Sequence, residues 1–161
     1  MPRKKIIEST GLTFSSSNFD PAVYAATAQA ARLDSVSLTE SKFSSKPSIF
    51  WESEQSGKSI KQGYSGLFKG LHFEPEEGFV IGGYQWEAVG KFGAKIAFSM
   101  RADYVLRYSG LVGASPEYVQ LYFLKIARFT SYPYFRALFA THTSAAELLL
   151  GPLPALTERV D

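Results

Sequence analysis

The sequence predicts an α+β domain in which helices cover one face of a long antiparallel sheet, and three observations carry that reading. Residues 94–109 alternate without a slip, with Ile96, Phe98, Met100, Ala102, Tyr104, Leu106 and Tyr108 on one face and Lys95, Ala97, Ser99, Arg101, Asp103, Val105 and Arg107 on the other. One face is dry and one is wet, the pattern of an antiparallel sheet covered on a single side. The link from Gly90 to Gly93 is too short for anything but a hairpin with the preceding strand. From Ser115 onward the apolar period changes to that of a helix, and residues 131–150 carry only Arg136 and Glu147 as charged groups.

The elements follow in order. Residues 1–20 have Ser and Thr in clusters and read as a loose arm. Asp20-Pro21 supplies an N-cap and a proline at the first helical position, so the Ala-rich residues 22–31 form a short helix. Val36 and Leu38 against Ser35, Ser37 and Thr39 make a first strand from Arg32 to about Phe43. Residues 44–62 are polar around the apolar knot Ile49-Phe50-Trp51 and read as an irregular crossover loop or a poor strand. A second strand spans about 64–73, and the acidic turn Glu74-Pro75-Glu76-Glu77-Gly78 ends it. A third covers 79–91, with Gly82-Gly83 marking a bulge or bend. Ser115-Pro116-Glu117 starts a helix carrying Val119, Tyr122, Phe123 and Ile126, and Pro133 is expected to end or kink it before a second helix over 131–150. Residues 151–161 form a tail, and the whole 161-residue chain is a single domain with the sheet over 32–109 and helices over 115–150.

Composition excludes several function classes. The chain has no cysteine, so disulfides, thiol catalysis and thiolate metal sites fall away, and His72 and His142 are too far apart to begin a ligand set. No metal and no cofactor are expected. The net charge of +2 comes from dispersed Lys and Arg, which does not suit a nucleic-acid face. No apolar run approaches a membrane span, and Met1-Pro2-Arg3-Lys4-Lys5 lacks a signal peptide's apolar core, so a cytoplasmic protein is expected. There is no phosphate loop and no nucleophile elbow, and an enzyme is not expected. The acidic cluster Glu74, Glu76 and Glu77 reads as a solvated turn. What stands out is the aromatic content, with 13 Phe, 9 Tyr and 2 Trp, which suits a β-rich core, apolar grooves or subunit contacts.

The helix over 131–150 is the most informative segment. Phe135, Leu138, Phe139, His142, Ala146 and Leu149 form an apolar stripe, and the opposite face offers Ala137, Ala140, Thr141, Ser144 and Leu148. With neither face charged, the helix is expected to be covered on both sides. A homo-oligomer, dimer or dimer of dimers, is expected to use Tyr134, Ala137, Leu138, Ala140, Thr141, Ser144 and Leu148 as its interface.

A long amphipathic strand ending in Tyr104-Val105-Leu106-Arg107-Tyr108, the Ser115-Pro116-Glu117 helix start, Tyr132-Pro133-Tyr134-Phe135-Arg136 and a closing Gly151-Pro152-Leu153-Pro154-Ala155-Leu156 together resemble the SecB-like chaperones. In that family a Pro-Tyr-x-Arg sequence opens the principal helix and a Pro-Pro-Leu-type segment follows it. The resemblance covers about 32–156, with its specific residues confined to 94–156. It implies a four-stranded antiparallel sheet per subunit, assembly through the principal helices, and long apolar grooves that hold unfolded polypeptide without ATP.

In the family the crossover between the first two strands walls the groove, which gives Ile49, Phe50 and Trp51 a role. The expected client groove comprises Phe43, Ile49, Phe50, Trp51, Tyr64, Phe68, Tyr132, Phe135 and Phe139. The client is an unfolded or aggregation-prone polypeptide, either an exported preprotein or an antitoxin. The export chaperones are acidic and dock on the SecA ATPase through an acidic sheet face. This chain has an isoelectric point near 8.8 and sets Lys95, Arg101 and Arg107 against a lone Asp103 on the wet face of its fourth strand, so SecA docking is not expected. A carrier of a small hydrophobic ligand and a structural oligomer or adaptor are the competing readings.

Overall fold

A computed structural model describes residues 19–148 and 150–156. The loose-arm expectation for 1–18, the placement of Leu149 and the last five residues lie outside the described residues. The element order is α1 (Pro21–Ala30), β1 (Arg32–Ser45), α2 (Pro47–Ser56), β2 (Lys61–Glu74), β3 (Phe79–Phe92), β4 (Lys95–Ser109) and α3 (Pro116–Ala145). The four strands make one antiparallel sheet in the order β1-β4-β3-β2. β2, β3 and β4 follow one another as hairpins, and the chain crosses from one edge, β1, to the other, β2, through α2.

Each expected strand is present, and β4 keeps the alternation read from its sequence from Phe98 onward. At its start the register slips, with Gly90 paired to Phe98 but Lys91 to Ile96, and Ala97, expected on the wet face, is fully buried. Phe98, Met100, Ala102, Tyr104, Leu106 and Tyr108 are all nearly fully buried beneath α3, whereas Ile96, at the start of the strand, is exposed. Gly93 takes a φ of 58° in the tight β3–β4 turn, a conformation that favours glycine. The bulge expected at Gly82-Gly83 sits across from it, in β2. Phe68 pairs with Tyr84 and Leu71 with Gly82, so Lys69 and Gly70 together oppose Gly83, with Gly70 at φ 97°. Gly82 itself makes room for α3, since a β-carbon there would lie 2.5 Å from the ring of Phe123.

Two helical expectations are corrected. The crossover over 44–62 is neither loop nor strand at its centre but the ten-residue helix α2, with Pro47 in the first turn and Gly57 closing it at φ 66°. Pro133 does not divide α3, which runs 30 residues through it. The missing N–H leaves one ladder bond unmade, but buried Ser131, Tyr132 and Phe135 on either side anchor both halves to the sheet, and that burial outweighs one bond.

The helix also stops at Ala145, short of Leu150. The Leu148 N–H donates to the Thr143 carbonyl (2.9 Å) and the Glu147 N–H to that of Ser144 (3.0 Å), with Glu147 at φ 55°. This is the Schellman arrangement, with glutamate at the position glycine usually holds.

α1 begins as expected from its sequence. The Asp20 carboxylate accepts from the N–H groups of Ala22 (2.9 Å) and Val23 (3.4 Å), and the Asp20 N–H donates to the Tyr118 hydroxyl (2.7 Å), tying α1 to the start of α3. The core lies between α3 and the inner sheet face, filled by Trp86, Phe98, Phe123, Phe135 and Phe139 among others. Leu153 from the closing segment joins it at 1% exposure, and the Tyr132 hydroxyl donates to the Pro154 carbonyl (2.6 Å).

Candidate functional site

The crossover puts its three apolar residues in three different environments because α2 presents them around a helix. Ile49 is buried at 7%, Phe50 is half-buried, and Trp51 is exposed at 63%. Phe50 stacks on Phe98 of β4 at 6.4 Å between ring centroids. α2 is fastened to the sheet by the Lys46 N–H donating to the Ala97 carbonyl (2.8 Å) and by Lys95 bonding both oxygens of Glu52 (2.7 and 2.9 Å). Trp51 is therefore an exposed indole on a fixed helix. On the edge strand β1, half-buried Phe43 lies flat against the His142 ring of α3 at 5.2 Å and 7°.

On the other edge, Tyr64 is half-buried and packs on Tyr132 at 5.3 Å, and half-buried Phe68 meets Phe123 at 6.0 Å. The α3 members of the expected groove are placed differently. Tyr132, Phe135 and Phe139 are 3%, 0% and 1% exposed, held beneath the helix against Trp86 and Phe98. They are core residues here, because the stripe that reads as apolar from the sequence is the one the sheet covers. The surface left by the expected set is Phe43, Phe50 and Trp51 at one edge and Tyr64 and Phe68 at the other.

The opposite face of α3 is open. Tyr134 is 51% exposed, Ala137, Ala140, Thr141 and Ser144 are exposed, and Leu138 and Leu148 are half-buried. The Thr141 hydroxyl donates to the Ala137 carbonyl of its own helix (3.1 Å), so this face makes little demand on water. Beside it, Phe129, Pro133, Ala140, Pro152, Ala155 and Leu156 help to line a cleft of about 510 Å³ between α3 and the closing segment. A role for that segment was missed in the sequence, where its Leu and Pro content was the available signal.

The outer sheet face is not the basic surface its β4 residues suggest. Arg101 meets Glu40 of β1 at 3.2 Å, and Arg107 meets Asp34 at 3.5 Å and lies 4.6 Å over the Phe79 ring, while the slip at Ala97 pairs Lys95 with Phe92 and takes it off this face to Glu52 of α2. Lys42, hydrogen-bonded to Glu40, holds that carboxyl below the usual carboxylate range. The two carboxylates come from β1, and only the register places them there. Among the described residues no cluster of His, Asp and Glu could hold a metal ion, and no helix is long and apolar enough to cross a membrane.

This sheet, its edge-to-edge crossover and its long covering helix make the SecB-like fold, an α+β architecture with the principal helix on one sheet face. Among solved structures the chain is similar to the Mycobacterium tuberculosis SecB-like chaperone Rv1957 in complex with a ChAD peptide from the HigA1 antitoxin Rv1956. The TM-score is 0.68 at 14% identity, covering 86% of this chain and 99% of that one. It also matches a Streptococcus agalactiae protein of unknown function at a TM-score of 0.41 and 10% identity, over 80% of this chain and 97% of that one. No family model and no curated protein sequence matches the chain.

Proposed function

We propose that the protein is an ATP-independent holdase that captures extended, apolar segments of unfolded polypeptide and releases them without chemistry. The observation that carries this reading is Trp51, a large apolar side chain 63% exposed on a helix that two sheet contacts hold in place. Surface of that kind, on the same helix as half-buried Phe50, suits a partner that brings its own apolar side chains. At about 25 cal/mol per Å² removed from water, a few hundred Å² of client contact provides several kcal/mol before ordering costs, enough for reversible capture. The attraction is non-directional, so it selects unfolded apolar stretches over any one sequence. Tyr64 and Phe68 extend the client surface on the other edge, and Tyr132, Phe135 and Phe139 act from beneath as its rigid support.

The class of client follows from the neighbour bound to an antitoxin peptide: an aggregation-prone segment of a partner protein, with an exported preprotein as the second candidate. The working form is a cytoplasmic homo-oligomer, a dimer or dimer of dimers, joined through Tyr134, Ala137, Leu138, Ala140, Thr141, Ser144 and Leu148. SecA is not among the proposed partners, since the outer face, with cations and carboxylates paired, lacks the acidic character such docking requires. Neither nucleic acid nor a cofactor enters the reading.

Suppression of aggregation of a chemically unfolded protein, in the absence of nucleotide, tests it. Retarded aggregation at stoichiometric ratios is the expected result, and no retardation at excess chaperone overturns it. Native mass spectrometry separates the rivals: heterogeneous peptide adducts support the holdase, one defined small mass indicates a carrier of a hydrophobic ligand, and a clean oligomer a structural role.

A further inference from the structure

The outer face has one corner where the charge compensation fails. Lys61 of β2 and Lys91 of β3 are direct register partners, two like charges facing each other across the ladder. Lys58, in the link from α2, joins them in lining an open cleft of about 840 Å³, whose other charged lining residue is Glu87. Three cations less one carboxylate leave this corner at +2. Lys95, Arg101 and Arg107 each have a carboxylate partner, but among the described residues Lys58, Lys61 and Lys91 have none.

The cleft runs along an edge. β2 is the last strand of the sheet, so one side of its backbone faces no neighbour, and its pairing to β3 is regular over residues 61–68 before the bulge. Val89 is half-buried in the lining. An extended segment laid there finds main-chain donors and acceptors, a small apolar patch and three ammonium groups. Nucleic acid fits less well, because base stacking needs open aromatic faces, and of the two rings in the lining Tyr64 is engaged with Tyr132 and Trp86 and Phe92 is half-buried.

We propose that this cleft is a docking site for an extended acidic polypeptide segment, whose carboxylates are received by Lys58, Lys61 and Lys91. The cleft adjoins the proposed client surface at Tyr64, but its ligand is recognised by charge and edge pairing, and no apolar client is needed to detect it.

The probe is a short fluorescein-labelled peptide of alternating Glu and Val, titrated by anisotropy with the full chain at low and high salt. Binding that weakens with salt is expected, together with a loss of at least about tenfold in the Lys61→Glu/Lys91→Glu pair and no change in Lys69→Glu, which lies on the same sheet face outside the cleft. If the double reversal disturbs the circular dichroism spectrum, Lys61→Gln/Lys91→Gln takes its place, with a loss of about threefold or more expected. Unchanged affinity in the folded variant, equal binding of a peptide with Lys in place of Glu, or tighter binding of single-stranded DNA of the same length overturns the proposal.

Discussion

The indole N–H of Trp86 donates to the hydroxyl of Ser131 at 2.8 Å, and that hydroxyl donates in turn to the Ala127 carbonyl at 2.7 Å. A central strand is thus bonded to the middle of α3 in a fully buried place, two residues before the proline that the helix must pass. Ser131 is 0% exposed and Trp86 is 2% exposed, so no water is at hand to replace either bond.

Ser131→Ala is therefore expected to leave the indole N–H unpaired in the core and to cost about 1–3 kcal/mol in urea unfolding. Trp86→Phe in the Ser131→Ala background should cost less than the same change in the wild type. Equal costs in both backgrounds would mean that the bond does not couple the strand to the helix.

Trp51→Ala is expected to weaken capture of an unfolded client while shifting stability by no more than about 0.5 kcal/mol, since the side chain is mostly in water. Because Trp86 is already buried, a blue shift of emission on adding client reports on Trp51. Collapse of the fold on substitution would make Trp51 a structural residue and remove it from the client surface.

Ala140→Glu, or Ala137→Glu, places a charge on the open face of α3. If that face joins two copies, the unpaired carboxylate costs several kcal/mol in the interface and nothing in the isolated chain. Sedimentation should show dissociation with an unaltered far-ultraviolet spectrum. A wild type that is strictly monomeric at micromolar concentration removes the premise.

Alkaline pH should unfold the protein through its buried phenols. Burial pushes Tyr104, Tyr108 and Tyr132 up to about 12 from an ordinary 10.0. A raised value in the folded state means that the unfolded chain loses these protons first, so stability is fully present below pH 10 and declines between about 10 and 12. A melting temperature that stays flat across that window contradicts the burial of these three hydroxyls.

What the sequence made legible was whatever repeats with a fixed period inside one element. β4 could be read residue by residue from Phe98 onward because its dry face is covered there, whereas the slip at Ala97 left no trace in its sequence. Phe135 and Phe139 were legible as an apolar stripe on α3 but were assigned to the client groove, and the sheet buries them. α2 was missed because Pro47 and Gly57 punctuate loops as readily as they open and close a short helix, and Ile49-Phe50-Trp51 is too brief to show a period. Pro133 reads as a break when local propensity is weighed alone, and tertiary anchoring on both sides overrides it. The charge balance of the outer face was illegible for a different reason: Glu40 and Asp34 come within reach of Arg101 and Arg107 only through a register with two slips in β1. Trp51 and Ile49 are neighbours of like type in sequence, and only the direction each leaves the helix separates a surface residue from a core one.

Three of the four register slips of this sheet lie in its outer strands: β1 slips between Leu33 and Ser35 and again between Leu38 and Glu40, and β2 between Phe68 and Leu71, while the fourth lies between β3 and β4 at Gly90 and Lys91. A visiting strand that adds to either edge can match it for only a few residues before the spacing of donors and acceptors goes out of step. Growth of a continuous foreign sheet along the molecule is thereby interrupted at each slip. If the proposed clients stack into fibres, borders of this kind let a guest be gripped briefly at an edge without the host becoming the seed on which it polymerises.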